Sequence, residues 1–484
     1  MIHYFLKAIR HILRNLPYIC RNRRLVLRCP HFVLFLLFFL CNNSLQSQDS
    51  HYWVNEYGTR GQLLGGIVVG SIKDLSGTFY NPGAIALSTD LTLEVSTDAI
   101  QFTDINQPDG AGAGLNLRSF KGARAPGIFA ARFKLGKQEQ HHLAVSLLTR
   151  YDSNFEVGAR RIDPYENVEA GLSAFSGEIR FEKRMIESWL GGSWAHKLTD
   201  RIGFGITQYF ALHSQAHRLQ TFAESLEPTG EGQSVILVND QKFYNLRALI
   251  KSGIAVDLNP FTLGVTVTTP SVNLFGKGSV FWNGFADVEG PDSSGQTGAV
   301  LISNYQKDLS TRLKSPFSIA AGASYAFGKS ILHIAIEHFT KLNQFAVMEP
   351  ESFRAQSSGE SITPTVQHAL RAVTNYGIGF QYSFRIDHTF YAGFRRDLSA
   401  WTPDAPSDIT NSNWNINHLT LGTVSSFKQL DITFGFGYSF GKDVFERLVD
   451  FIGIDRGGDL LDEYDFNDVK FRRYKLILGL SLSL

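Results

Sequence analysis

The chain has 484 residues, 43% of them hydrophobic and 19% charged, with a mean hydropathy of −0.08. Its 46 basic and 45 acidic residues leave a formal net charge of +1, which excludes a strongly basic nucleic-acid-binding chain. The length suits several ordinary domains or one large barrel. The moderate hydropathy fits either, because half the residues of a membrane barrel face water.

Residues 1–30 hold Lys7, Arg10, Arg14, Arg21, Arg23, Arg24 and Arg28 and no acid. The apolar run Phe32–Leu40 and the polar stretch Asn42–Gln48 follow. Basic region, short apolar core and polar exit predict a secretory signal peptide over residues 1–47. The run is too short for a spanning helix, which needs about 20 apolar residues. Its basic region is long for a signal, so the chain is expected to begin upstream of the native start. Cleavage is expected between Ser44 and Gln48. Cys20, Cys29 and Cys41 all lie in or beside this segment. The mature chain is therefore expected to have no disulfide framework, thiolate metal site or thiol chemistry. Losing seven cations and no acid takes the formal charge from +1 to −6, so nucleic acid is not expected as a partner.

Residues 48–88 contain Gly58, Gly61, Gly65, Gly66, Gly70 and Gly77, then Tyr80-Asn81-Pro82-Gly83-Ala84. Proline fixes its own φ and glycine permits a tight bend, so Asn81-Pro82-Gly83 reads locally as a turn. No strand pattern is evident before residue 89.

From there the chain alternates. Predicted strands are 91–104, 126–136, 141–152, 178–198, 201–215, 242–258, 261–273, 317–327, 331–340, 376–384, 388–396, 415–427, 430–441 and a final segment ending at Leu484. In 430–441, Ile432, Phe434, Phe436, Tyr438 and Phe440 share one face, while Thr433, Gly435, Gly437 and Ser439 share the other. Short turns alternate with long loops at about 105–125, 153–177, 216–241, 274–314, 341–371, 397–414 and 442–470. Long loops at one end and short turns at the other are the mark of an outer-membrane barrel, and only helices and closed barrels can span lipid. The expected fold is all-β: a 14-stranded antiparallel transmembrane β-barrel over residues 89–484. Residues 48–88 precede it as a small N-terminal segment in a lumen wide enough to leak if left empty.

The signal peptide, the Gly-rich segment, Asn81-Pro82-Gly83 and the hairpin Leu313–Tyr325 with Ile334–Phe345 together resemble the FadL-type family of outer-membrane transporters. That resemblance covers essentially the whole mature chain. It implies a periplasmic hatch, or plug, over residues 48–88, with Asn81, Pro82 and Gly83 at the family's Asn-Pro-Ala motif and Gly83 replacing alanine. It also implies facilitated diffusion of long-chain fatty acids or aromatic hydrocarbons, without enzymatic activity. The family has a kinked third strand that opens the barrel wall. Gly191 and Gly192, in Trp189-Leu-Gly-Gly-Ser-Trp194, are candidates for that kink, or else simply make room for the hatch.

Other candidate sites are weaker. His213 and His217 are expected at the outer end of a strand and His141-His142 in a periplasmic turn, none beside a nucleophile motif, so no catalytic residue is assigned. The acidic loop 455–468 fits no Ca²⁺-loop spacing, and no metal or cofactor is expected. Alternation places Lys251, Arg395 and Lys475 in the lumen, where a ligand carboxylate or a hatch acid such as Asp74 could pair with them. Expected partners are a hydrophobic small molecule, outer-membrane lipid and the barrel-assembly machinery, with the chain a monomer. Competing functions are an adhesin or general pore of the same fold, and a rim-site hydrolase.

Overall fold

The computed structural model describes residues 50–88, 93–96, 100–124, 127–135, 140–163, 174–226, 228–230, 232–287, 300–405, 407–409, 412–427, 430–446 and 466–482. The predicted signal peptide, residues 455–465 of the acidic loop 455–468, and Leu484 lie outside these residues.

Before the first strand come two short helices, α1 (Thr59–Leu63) and α2 (Gly77–Tyr80), and a 3₁₀ turn over Pro82–Ala86. The strands that follow are β1 (Leu93–Ser96), β2 (Ile100–Gln107), β3 (Leu117–Arg124), β4 (Ile128–Leu135), β5 (His141–Asp163), β6 (Ala174–Thr199), β7 (Ile202–Leu226) and β8 (Gly232–Leu258). Next are β9 (Phe261–Thr268), β10 (Val272–Asp287), β11 (Val300–Ser310), β12 (Ser318–Phe327), β13 (Ser330–Phe339), β14 (Leu342–Met348), β15 (Phe353–Arg354), β16 (Ser361–Ile362) and β17 (Val366–Leu370). The last are β18 (Val373–Ser383), β19 (His388–Asp397), β20 (Ile416–Phe427), β21 (Leu430–Glu446) and β22 (Phe466–Leu482). Eighteen of them form one antiparallel sheet, and β14–β17 and β15–β16 are small separate pairs.

Antiparallel pairing passes from β4 through β5, β6, β7, β8, β9, β12, β13, β18, β19, β20 and β21 to β22. The short β1 pairs with both β4 and β22. The short connections after β6, β8, β12 and β18 fall where the sequence places them.

Alternation decides the faces. Ile432, Phe434, Phe436 and Phe440 are exposed on β21, while Thr433, Gly435, Gly437 and Ser439 are buried. The same rule exposes Leu190 and Trp194 on β6, Phe210 and Leu212 on β7, and Ile334 and Ile336 on β13. An outward apolar face with a small or polar inward one reverses the order of a water-soluble sheet and suits lipid contact.

Four strands are much longer than the sequence reading allowed. β5, β6, β7 and β8 have 23, 26, 25 and 27 residues, where a tilted strand needs roughly 9–11 to cross a bilayer core. Much of the expected loops 153–177 and 216–241 is therefore strand, and β10 and β11 occupy much of the expected loop 274–314. The physical reason is a second apolar core beyond the wall. Phe155, Val157, Phe181, Leu219, Val235 and Leu237 recur at period two on the inward face and pack with Trp414 and Phe471. The outward positions there are charged, as at Arg180, Glu182, Arg218, Asp240 and Lys242.

Candidate ligand cavity

Residues 50–88 are packed against the inward face of the sheet. Tyr57, Leu63, Leu75 and Ile85 are wholly buried. The motif seats on a floor of strand glycines. The Asn81 side chain donates to the carbonyls of Val69 (2.9 Å) and Ile254 (3.0 Å) and accepts from the Gly83 amide (3.1 Å). A Cβ at Gly253 would sit 2.3 Å from Asn81 Oδ1, one at Gly205 2.3 Å from the Pro82 carbonyl oxygen, and one at Gly264 2.1 Å from the Val69 carbonyl oxygen. Gly83 is equally confined, its Cβ position lying 2.6 Å from the Gly253 carbonyl oxygen. Only hydrogen fits at these positions, so the segment's backbone and the Asn81 side chain lie directly on the strand backbone. The same segment reaches Gly322 on β12, Gly377 on β18, Gly422 on β20 and Gly479 on β22. The sheet thus curves around one short segment.

A buried charge cluster ties the segment to the far wall. Glu56 is bound by the Arg395 guanidinium at Oε1 and by Lys475 Nζ at Oε2. Burial works against the charge, but Arg395 and Lys475 outweigh it and hold the Glu56 carboxyl below its usual range. Arg395 also donates to the Gly65 carbonyl (3.1 Å). Arg395 and Lys475 meet an acid of residues 48–88, and that acid is Glu56 rather than the expected Asp74. Asp74 is instead bound locally, accepting from the Ser76 amide and hydroxyl.

Above this segment lies a cavity with about 1210 Å³ of empty space, its open mouth included. Phe79, Tyr151, Trp189 and Leu249 give it apolar walls, and Arg150, Arg247 and Lys251 bring in cations. Arg150 lies over the rings of Phe79 (5.4 Å), Tyr151 (5.4 Å) and Trp189 (5.6 Å) and donates to the Tyr52 carbonyl. Glu187 accepts from Arg247 Nη2 (2.6 Å), from Trp189 Nε1 (2.6 Å) and at His213 Nδ1 (2.9 Å). Arg247 Nε reaches Ser315 Oγ (3.1 Å), while Nη1 has no protein partner. Lys251 is 5% exposed and lies 4.7 Å from the Phe79 centroid. Among the described residues no carboxylate pairs with it. The Lys251 ammonium, with the Glu337 carboxylate on the same cavity wall but not in contact, and the Nη1 edge of the Glu187-paired Arg247 therefore stand open beside aromatic surface.

The roof is built from loops. Ile409 lines the cavity, and its carbonyl accepts from Lys183 Nζ and from Gln215 Nε2 (3.3 Å). Its neighbour Asp408 exchanges bonds with the Gln367 backbone.

The remaining predicted sites lie elsewhere. Gly191 and Gly192 sit in the middle of β6, which pairs continuously with β5 and β7 across both residues. β6 follows β5 in the sheet, so it is β5 that stands third once β1–β2 and β3–β4 are joined. The nearby register shift is on β5, between Thr149 and Tyr151. A Cβ at Gly191 would lie 2.4 Å from the Tyr209 ring, whereas one at Gly192 would meet nothing within 4 Å. Tyr209 in turn donates to the Thr78 carbonyl of the N-terminal segment (2.8 Å).

His213 and His217 belong to the body of β7 rather than its end. His213 is engaged by Glu187 and Gln215, and His217 packs on Phe181 at 5.0 Å. His141 and His142 open β5 and are not in a turn; His141 stacks on His196 at 4.5 Å. Sequence reading missed Glu56, Arg150, Glu187 and Arg247. For Arg247 the available signal was a charged residue at an inward position between the apolar outward neighbours Leu246 and Ala248.

No family model matches the chain, and no curated protein does. Solved structures do. A Pseudomonas aeruginosa FadL homologue superposes with a TM-score of 0.59 at 14% identity, covering 90% of this chain and 100% of that one. The Pseudomonas putida toluene transporter TodX gives 0.54 at 13%, covering 92% and 100%. The CymD monoaromatic hydrocarbon channel gives 0.53 at 13%, covering 89% and 98%. These neighbours are channels rather than enzymes. The chain has the fold of the FadL-type channels.

Proposed function

We propose that the chain is an outer-membrane channel for facilitated diffusion of hydrophobic small molecules. Its similarity in fold to a FadL homologue and to toluene and monoaromatic hydrocarbon channels supports this class. The ring of pairings through β1, β4 and β22 supports a closed barrel. Joining β1 with β2, β3 with β4, β9 with β10 and β11 with β12 gives fourteen staves. Residues 48–88 are its hatch, and Asn81, Pro82 and Gly83 are the point at which the hatch meets the wall.

Substrate enters at the long-loop end, passes the apolar residues around Phe155 and Phe181, and settles in the cavity over Phe79. Release needs a local shift of the hatch, toward the periplasm or through the wall beside β6. The observation that carries the reading is the cavity itself. It pairs aromatic walls with the Lys251 ammonium, which has no direct carboxylate contact among the described residues, and Arg247 Nη1, a setting for an amphipathic acid such as a long-chain fatty acid. Neutral aromatic hydrocarbons are the second reading, favoured by the Phe79, Tyr151 and Trp189 surface. Uptake of labelled oleate and labelled toluene by cells lacking their own transporters tests the proposal. Restored uptake of either supports it, and uptake of neither, with the protein present in the outer membrane, overturns it.

A further inference from the structure

The outward face of the wall carries many charges beyond its apolar band, and several meet a partner. Arg180 meets Glu156 (2.9 Å) and Glu182 (2.6 Å), and Arg118 meets Asp104 (2.7 Å). Arg218 and Lys242 share Asp240 at 2.6 and 3.0 Å. Single cations such as Arg184 on β6 are exposed without a carboxylate at ion-pair distance among the described residues, and at one place three stand together. On β21 and β22, Lys442 stands directly opposite Lys470, and Arg472 stands opposite Phe440 one outward step below. All three side chains are exposed. Among the described residues none has a carboxylate within ion-pair distance. Asp104, which faces Arg472 across β2, is taken in bidentate fashion by Arg118 at 2.7 and 3.1 Å. Asp468 is the nearest other outward acid in the register, opposite Val444.

Like charges directly opposite on neighbouring strands destabilise a sheet. Among the described residues no acid is paired with any of the three, so their arrangement suits an external anion. Their height says which one. Immediately below them is an aromatic shelf, with Tyr438 5.2 Å from Tyr474 and 5.5 Å from Phe440. Below that run the lipid-suited Phe436, Phe434, Leu476 and Leu478. Tyrosine girdles mark the boundary between acyl chains and headgroups. The strands lead upward to the long connection between β21 and β22, which is the outer end of the proposed barrel.

The geometry points to a binding site for the phosphorylated headgroup of an outer-leaflet glycolipid, formed by Lys442, Lys470 and Arg472. Its acyl chains lie on the apolar band beneath. This rests on the outer-membrane reading. The headgroup phosphates supply the charge that the wall lacks, and the aromatic shelf sets their depth. Such a lipid would brace the seam where β21, β22 and β2 meet.

The test uses the full mature chain reconstituted into phosphatidylethanolamine vesicles containing a bisphosphorylated, acylated glucosamine disaccharide. Lipid retained after detergent extraction is measured by native mass spectrometry. The unaltered protein is expected to retain it, and K442Q/K470Q/R472Q to hold it about a hundredfold more weakly. The same glycolipid without phosphates should bind the unaltered protein no better than the intact lipid binds the variant. Equal retention by both proteins overturns the site. So does inorganic phosphate binding as tightly as the lipid, which would assign the cluster to a soluble anion. Vesicle insertion is scored separately by protease protection, so a chain that inserts and retains no phosphorylated lipid overturns the site and not the barrel.

Discussion

Glu56 and Arg395 form a buried ion pair across 339 positions of sequence, one on the segment before the first strand and the other on β19. Lys475 of β22 closes on the same carboxylate. A single side chain of residues 50–88 thus binds two strands of the wall, and the proposed hatch cannot leave without separating buried charges. The glycine floor explains where the hatch sits, and this cluster explains what holds it there.

Removing the carboxylate leaves two cations buried and unpaired, so Glu56→Gln is expected to loosen the hatch. Breaking a buried pair costs roughly 3–5 kcal/mol. Hydrogen exchange should show residues 50–88 losing protection while the strand amides of β19 and β22 keep theirs. The sign of the pH effect follows from the lowered carboxyl. Its contribution is complete above the unfolded carboxylate value of about 4.3 and fades as pH falls through the lower folded value. Acid should therefore release the hatch of the unaltered protein, and Glu56→Gln should flatten that dependence. A variant with unchanged exchange and an unchanged acid profile would remove the latch role.

Gly264→Val addresses the seat. The added Cβ would stand 2.1 Å from the Val69 carbonyl oxygen and 2.6 Å from Asn81 Nδ2, contacts that only backbone movement can relieve. Expected results are a folded wall, seen as unchanged heat-modifiable mobility, together with increased leakage of small hydrophilic solutes. Gly328→Val is the matched control at the loop level, with open space around its Cβ position. Its positive φ of 57° makes any loss there one of backbone strain rather than hatch contact.

The cavity predicts a selectivity change. Lys251→Met keeps length and apolar bulk beside Phe79 but removes the charge. Oleate uptake should fall about tenfold, the scale of one charge-assisted hydrogen bond, while toluene uptake stays level. Equal loss of both would make Lys251 a structural residue, and loss of neither would move the anchor to Arg247.

What the sequence revealed and what it hid divide along a physical line. Period-two alternation is local, so the outward face of β21 and the inward placement of Lys251, Arg395 and Lys475 could be read from neighbours alone. The motif Asn81-Pro82 stood out because its residue types force a bend. Pairing partners are not local. Asp74 and Glu56 are both hatch acids, and only the threading of the segment past β19 and β22 decides between them. The extensions of β5–β8 were hidden for another reason. Charges at Arg180, Glu182, Arg218 and Asp240 look like loop composition, and the apolar residues between them make sense only once they face a common core with Trp414. Gly203, Gly205 and Gly253 gave no sign of their role, since glycine in a barrel strand carries no record of the backbone that it admits.

The paired glycines of β6 separate two roles that one motif had merged. Gly191 faces inward, against Tyr209 and Ser146, and Tyr209 holds the hatch through the Thr78 carbonyl. Gly192 faces outward with nothing near it. If the pair serves a wall opening, Gly191→Val and Gly192→Val should impair uptake alike, because each stiffens the same stretch of strand. If Gly191 makes room for the hatch contact, Gly191→Val alone should displace Tyr209, expose residues 77–80 to hydrogen exchange and raise leakage. Gly192→Val should then behave as the unaltered protein in both measurements. The register of β6, unbroken from Ser193 to Ser188 against β5, favours the second outcome, and with it a wall opening, if there is one, at the shift beside Arg150.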